Sequence, residues 1–288
     1  MRNDNLTGIG LMTLSMALFA IEDAYIKLAA ETLPVWEVLL FMGLGGIVVF
    51  STLLTLRREP FFPPEAFGPA IRARMVGEIM GRVFYSLALA LASMSVVAVV
   101  LQATPLAVTL GAALVFGEKV GPRRWAAVCV GFLGVLLILR PGSATFEPAA
   151  LLSILGLIGL TIRDLATRAA PRSLSNYQLG LYGFLALIPT ALAMMPFSGP
   201  WVSPLTGAWP WLLGVSGFGI AAYYLVTAAM RVGEVSAVTP FRYTRILFAL
   251  TVSVAVFGET IDSLTLLGAG IVIASGLYTL WREKTLRR

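Results

Sequence analysis

Apolar residues run along this chain in long continuous stretches, near residues 7–28, 34–56, 69–90, 94–116 and 122–139, and again near 147–168, 176–196, 206–230, 235–257 and 263–281. A helix rising ~1.5 Å per residue needs ~20 mostly apolar residues to cross a hydrocarbon layer ~30 Å thick. Each stretch therefore predicts a membrane-spanning helix. Barrel strands would instead give segments of ~10 residues with alternating polarity. Proline, glycine and charge punctuate the runs, as from Arg57 to Pro64 and from Arg140 to Pro148, and these connections are too short for an attached soluble domain. The expected fold is an all-α integral membrane protein of ten transmembrane helices. The first run is too long for a signal-peptide core and holds Glu22 and Asp23, so it reads as a span.

Composition agrees. Hydrophobic residues make up 58% and charged residues 12%, with a mean hydropathy of +0.87, where soluble domains carry about 25% charge. Trp36, Trp125, Trp201, Trp209, Trp211 and Trp281 fall at or near run ends, the headgroup level that indole favours. With the N-terminus inside, the cytoplasmic segments hold 15 of the 21 Lys and Arg residues, the opposite side only Lys27 and Arg140, and the spans the remaining four. Positive charge is retained inside during insertion, so both termini are expected in the cytoplasm of a bacterial inner membrane. The same bias accounts for a pI near 9.8 through topology and anionic lipid, without a nucleic-acid partner. No histidine is present and Cys129 stands alone in mid-span. That excludes disulfides, thiolate or histidine metal sites and Ser-His-Asp catalysis; no cofactor is expected.

A shift of 141 residues lays Val115-Phe116-Gly117-Glu118 on Val256-Phe257-Gly258-Glu259, and Ser95 on Ser236, without a gap. This predicts two five-helix repeats, residues 1–140 and 141–288. Five is odd, so the halves should be inverted across the membrane, with Glu118 at a cytoplasmic helix end and Glu259 at an outer one. Inverted repeats place a site at their interface near the midplane and allow alternating access.

With this repeat length, the Glu118 and Glu259 helix ends and Pro105 in the fourth span, the chain resembles EamA-type members of the drug/metabolite transporter superfamily over essentially its whole length. The resemblance implies export of amino acids or similar metabolites, with bacterial aromatic amino-acid exporters as the nearest characterised type; some relatives carry S-adenosylmethionine, flavins or nucleotide sugars. The sequence departs from the family at Val38–Gly43, where Met42 stands in place of an early arginine, and at Phe241-Arg242-Tyr243-Thr244-Arg245 in the ninth span.

Charges inside the spans carry the chemistry, since each costs ~2.5 to 3.5 kcal/mol at a bilayer centre. They are Glu22, Asp23, Lys27, Glu78, Arg82, Arg163, Asp164, Arg242 and Arg245, and they must face water, the bundle interior or each other. Asp23 and Lys27, Glu78 and Arg82, and Asp164 and Arg168 are acid then base at i,i+4, so each pair reads equally as a structural ion pair or as a substrate or gate contact. Arg163 is expected to snorkel to the headgroups. Arg242 and Arg245 share a face and lack an acid in their own helix; Glu22, Glu78 or a substrate carboxylate, held bidentately, would answer them. Ser95, Gln102 and Thr109 form a polar stripe toward a wet interior or a dry interhelical contact, and Pro105 unwinds or merely kinks the helix beside Gln102. Tyr85, Tyr243 and one of Tyr223 and Tyr224 are candidate pocket residues. Gly43–Gly46, Gly131, Gly134, Gly268 and Gly270 read as close helix contacts.

The leading function is secondary export of amino acids or related small metabolites, Arg242 and Arg245 taking a carboxylate and Glu78 or Glu22 an amine. Import or exchange of a larger metabolite, such as S-adenosylmethionine or a nucleotide-linked compound, is the alternative. A membrane enzyme, receptor or scaffold comes third, for no catalytic motif is visible. The expected partners are a small-molecule substrate and the lipid bilayer, with protons as a candidate coupling ion at Glu22, Asp23, Glu78 or Asp164. Nothing in the sequence speaks to oligomeric state.

Overall fold

A computed structural model describes residues 2–117, 121–141, 147–197, 199–232 and 238–286. Helix dominates and no strand occurs among the described residues. The helices are α1 (Arg2–Ala30), α2 (Val35–Arg57), α3 (Pro69–Leu91), α4 (Met94–Leu101), α5 (Thr104–Phe116), α6 (Pro122–Leu139), α7 (Leu151–Ala169), α8 (Asn176–Met194), α9 (Trp209–Val232), α10 (Thr244–Phe257) and α11 (Ser263–Leu286). Taken in order they form ten spans, the fourth made of α4 and α5 and the ninth of a 3₁₀ turn, Thr239–Tyr243, leading into α10. Among the described residues six spans are long and apolar enough to cross a membrane by themselves, Asn5–Ala30, Val35–Arg57 and Met94–Phe116 being three of them. The chain is a multi-pass membrane protein.

Local chemistry sets the boundaries. Pro69 and Pro122 start α3 and α6 in the first turn, where a missing N–H costs nothing. Ser175 and Gln178 form a reciprocal capping box at the start of α8. The α5 and α10 ends turn on Gly117 (φ 65°) and Gly258 (φ 63°), a left-handed conformation that glycine adopts without a Cβ penalty. These glycines are the matched pair of the 141-residue shift. Glu118 and Ser236, which the same shift singles out, lie outside the described residues.

Packing runs across the chain rather than along it. Helix α1 packs on α9, α3 on α7, α2 on α8, α6 on α11 and α4 on α10. Small residues let these backbones meet, as expected where lipid supplies no hydrophobic drive between helices. A methyl on Gly159 would overlap the Gly81 backbone, and one on Gly77 would fall 2.5 Å from the Arg163 nitrogen, so α3 and α7 touch main chain to main chain. Gly43, Gly46, Gly131, Gly134 and Gly268 are close contacts too, but Gly270 meets nothing within 4 Å and only faces outward. Trp36 also departs from the headgroup pattern: it is wholly buried, its indole N–H donating to Gly199 O at 3.3 Å.

Candidate functional site

Both broken spans come apart at the same depth. Pro105 cannot donate to Leu101 O; the Thr104 hydroxyl donates to that carbonyl instead, at 2.5 Å, and the helix interrupts at Gln102 and Ala103. In the ninth span Pro240 stands in the 3₁₀ turn and the Thr244 hydroxyl donates to Phe241 O at 2.6 Å. The Gln102 amide donates to Arg242 O at 3.0 Å, tying one break to the other. Irregular backbone at membrane depth is tolerated where it borders a cavity.

A cavity of about 340 Å³ opens there, in the range of small-molecule pockets. Five arginines, Arg74, Arg82, Arg163, Arg242 and Arg245, reach its wall with one acid, Asp164, alongside Tyr85, Gln102, Tyr223 and Tyr243. Glu22, Asp23 and Glu78 stand just behind the arginines, each at most 4% exposed. Tyr85, Arg82, Gln102, Asp164, Tyr223, Arg242, Tyr243 and Arg245 thus line the cavity and Glu22, Asp23 and Glu78 stand behind it, whereas Lys27 and Ser95 lie in a cluster at the opposite face.

The pairings differ from several expectations. Arg245 donates to Asp23 at 2.7 Å and to the Tyr85 hydroxyl at 3.2 Å, rather than meeting Glu22 or Glu78. Asp23 is therefore not the partner of Lys27, which lies toward the far end of α1 and donates to Ala92 O at 2.7 Å. Arg82 bridges Glu22 at 3.1 Å and Glu78 at 3.4 Å, which bears out the i,i+4 pair on α3. Arg163 does not snorkel: it donates to Asp164 at 2.8 Å and stands 3.9 Å from Glu78, because the tight α3–α7 contact brings its base against that acid. Of the polar stripe only Gln102 lines the cavity: Ser95 donates to Glu259 and Thr109 to Pro105 O. The side chain of Arg168 lies outside the described ones.

Arg74 was hidden among the loop cations of the sequence, yet it is 1% exposed and donates to Thr167 Oγ1 at 3.0 Å and to the Tyr223 hydroxyl at 3.1 Å. The spacing Arg74, Glu78, Arg82 on one helix face was the signal for it. Two buried arginine donors, Arg74 Nη1 and Arg245 Nε, find no acceptor among the described residues. Arg74 and Arg242 each pair with a carboxylate only at 3.9 Å, Glu78 and Asp164 respectively, but Arg74 is buried whereas the Arg242 side chain is 35% exposed and so the most accessible of the five.

The cavity lies between mid-bundle and the face where α1 begins. At the opposite face hydrogen bonds and ion pairs join the helix ends and loops. Glu259 accepts from Met94 N at 2.7 Å, Ser95 N at 3.0 Å and Ser95 Oγ at 2.7 Å, and pairs with Lys27 at 3.5 Å. Glu147 accepts from Ser93 N and Oγ, Glu37 from Val202 N, and Arg140 pairs with Asp262.

Comparison with known proteins decides the family. The family model of the EamA-like transporter family matches residues 6–140 and again residues 147–281. The chain belongs to the EamA-like transporter family. Among its relatives is an S-adenosylmethionine uptake transporter of Rickettsia prowazekii (strain Madrid E), 24% identical over 97% of this chain and 94% of that one. Another is the pseudopaline exporter CntI of Pseudomonas aeruginosa, 25% identical over 96% of this chain and 97% of its own. A solved crystal structure shares the fold of this EamA-like chain with a TM-score of 0.64 at 21% identity, over 97% of this chain and 98% of its counterpart.

Proposed function

We propose that this EamA-like chain is a secondary transporter that carries a small metabolite with a carboxylate or similar anionic group through a bacterial inner membrane by alternating access. The carrying observation is the charge of the cavity: among the described residues five arginines stand on its wall against one aspartate, with three more acids, Glu22, Asp23 and Glu78, behind them, so the described groups leave one positive charge over. A solute anion on Arg242 supplies the missing negative charge in bidentate geometry. Glu22 and Glu78 already answer Arg82, so an amine on the solute finds less to bind than its carboxylate does.

The two family-model matches, the equal placement of Gly117 and Gly258 and the cross-chain helix pairs support two inverted repeats, 1–140 and 141–288. Exchanging the halves turns the pair α1–α9 into α7–α3. With both termini cytoplasmic, as the charge bias predicts, the cavity faces inward and the Glu259 cluster closes the outside. Direction belongs to the driving gradient, in keeping with relatives named for uptake and for export. Export of amino acids is the narrower form of the reading; carriage of a larger metabolite gains weight from the S-adenosylmethionine relative.

Uptake into proteoliposomes of labelled amino acids, S-adenosylmethionine and dicarboxylates tests this. Saturable flux of a carboxylate-bearing solute, reduced at least tenfold by Arg242→Ala in a normally folded protein, is the expected result. Flux that ignores the Arg242 change overturns the site.

A further inference from the structure

The four acids at or behind the cavity wall are bonded unequally. Asp164 accepts from Arg163 Nε at 2.9 Å and Nη2 at 2.8 Å, and Asp23 accepts from Arg245 at 2.7 Å. Glu78 leaves Oε2 without a hydrogen bond among the described residues, but Arg82 at 3.4 Å and Arg74 and Arg163 at 3.9 Å surround its carboxylate. Glu22 pairs among the described residues with Arg82 alone, at 3.1 Å, and shares it with Glu78. Its second oxygen, Oε2, is buried and meets no donor there, so a proton joins it without displacing a bond. The charged groups around it are Asp23 on α1, Arg82 and Glu78 on α3, and Arg245 on α10, which is taken by Asp23. Helix α9 opposes it with Gly219, where an added Cβ would lie 2.7 Å from Glu22 Oε1. Helix α2 carries charge only at its ends, Glu37 and Arg57, and Arg242 in the 3₁₀ turn answers Asp164.

We propose that Glu22 is a proton-binding site coupled to the solute, so that a proton and the solute anion bind together and cross together. The proposal rests on the reading of the arginine cavity as the solute site. Arg82 stands on the cavity wall with Glu22 behind it. A proton on Glu22 Oε2 removes one negative charge, the positive excess of the described groups rises from one to two, and an anion binds more tightly. The converse follows by linkage. An anion that engages Arg82 leaves Glu22 buried without a counter-charge, and a carboxylate in that position takes up a proton. The proton leaves when the solute has gone and Arg82 returns to Glu22. An inward proton gradient then drives uptake of an anionic solute.

Titration calorimetry of the detergent-purified full chain with succinate, repeated in two buffers of different ionisation heat, counts the protons taken up per anion bound. Between about pH 7 and pH 8.5 succinate is itself fully ionised, so any uptake belongs to the protein. The parent should take up close to one proton per succinate, and its affinity should fall severalfold, at most about tenfold, for each unit rise in pH. Glu22→Gln, which imitates the protonated state, should take up none and bind with an affinity that pH leaves unchanged. Glu22→Asp, a methylene short of Arg82, should move the pH range of uptake, which a purely structural carboxyl would not. No uptake, or proton release, in the parent overturns the proposal and leaves the anion cavity standing. Undiminished uptake in Glu22→Gln, or an unmoved range in Glu22→Asp, overturns the assignment to Glu22. Absence of succinate binding, or binding indifferent to Arg242→Ala, would sink the cavity reading itself.

Discussion

Arg242 and Arg245 sit three positions apart and look alike in the sequence, but they occupy different electrostatic situations. Arg245 is locked to Asp23 at 2.7 Å in a buried pair, and removing one member of such a pair costs ~3 to 5 kcal/mol because the other is stranded. Loss of transport in Arg245→Ala would therefore mix binding with folding, and Arg242 is the cleaner probe. The pair could not be foreseen because the arginine and its acid are 222 positions apart. Asp262 illustrates a polar residue outside the spans. Despite the opposing cost of partial burial, the Thr265 N–H and the Arg140 guanidinium hold its carboxyl down at about 2, against an ordinary 3.8. A carboxyl lowered on folding stabilises the protein above its unfolded value and ceases to do so as pH falls through the folded one. Thermal unfolding should accordingly lose stability between about pH 4 and pH 2, and Asp262→Asn, which can still cap α11, should flatten that part of the profile.

At the scale of elements, the runs of apolar residues located the spans to within a few positions, because crossing a bilayer fixes both length and polarity. The breaks were only half legible. Pro105 announced one; Pro240 marked the other equally well in the sequence, yet the 3₁₀ turn at Thr239–Tyr243 went unread, and its link to the first break through Gln102 depends on packing. Glycine likewise marked close approach without naming the partner. Gly159→Val should destabilise the protein by ~1 to 3 kcal/mol or more, as overpacking does, since any side chain there strikes the Gly81 backbone. Gly270→Ala, with open space around it, should stay within ~0.5 kcal/mol of the parent. Denaturation midpoints of the two variants provide the check.

Over the whole molecule, the cavity at one face is balanced by a bonded cluster at the other. Glu259 joins α1, the entry to α4 and the end of α10, and the repeated tetrad marked its position but not its partners. Glu259→Gln removes the charge that holds Lys27 and should loosen the closed face. In a Cys129→Ser background, Thr104→Cys at the cavity wall should react with an impermeant maleimide from one side only, and adding Glu259→Gln should raise reaction from the other side severalfold. An unchanged ratio would show that closure lies elsewhere. The main-chain contact between α3 and α7 has a mechanical corollary. Two helices in main-chain contact at Gly77, Gly81 and Gly159 should move as one part, carrying the Arg74, Glu78, Arg82, Arg163 and Asp164 charges with them. The bonds within that part, Glu78 to Arg82 and Arg163 to Asp164, are permanent fittings. The contacts that leave it, Arg82 to Glu22, Arg74 to Tyr223, Arg245 to Tyr85 and the looser pair of Arg242 with Asp164, lie on the seam, where any movement of this part against its neighbours has to break and remake them.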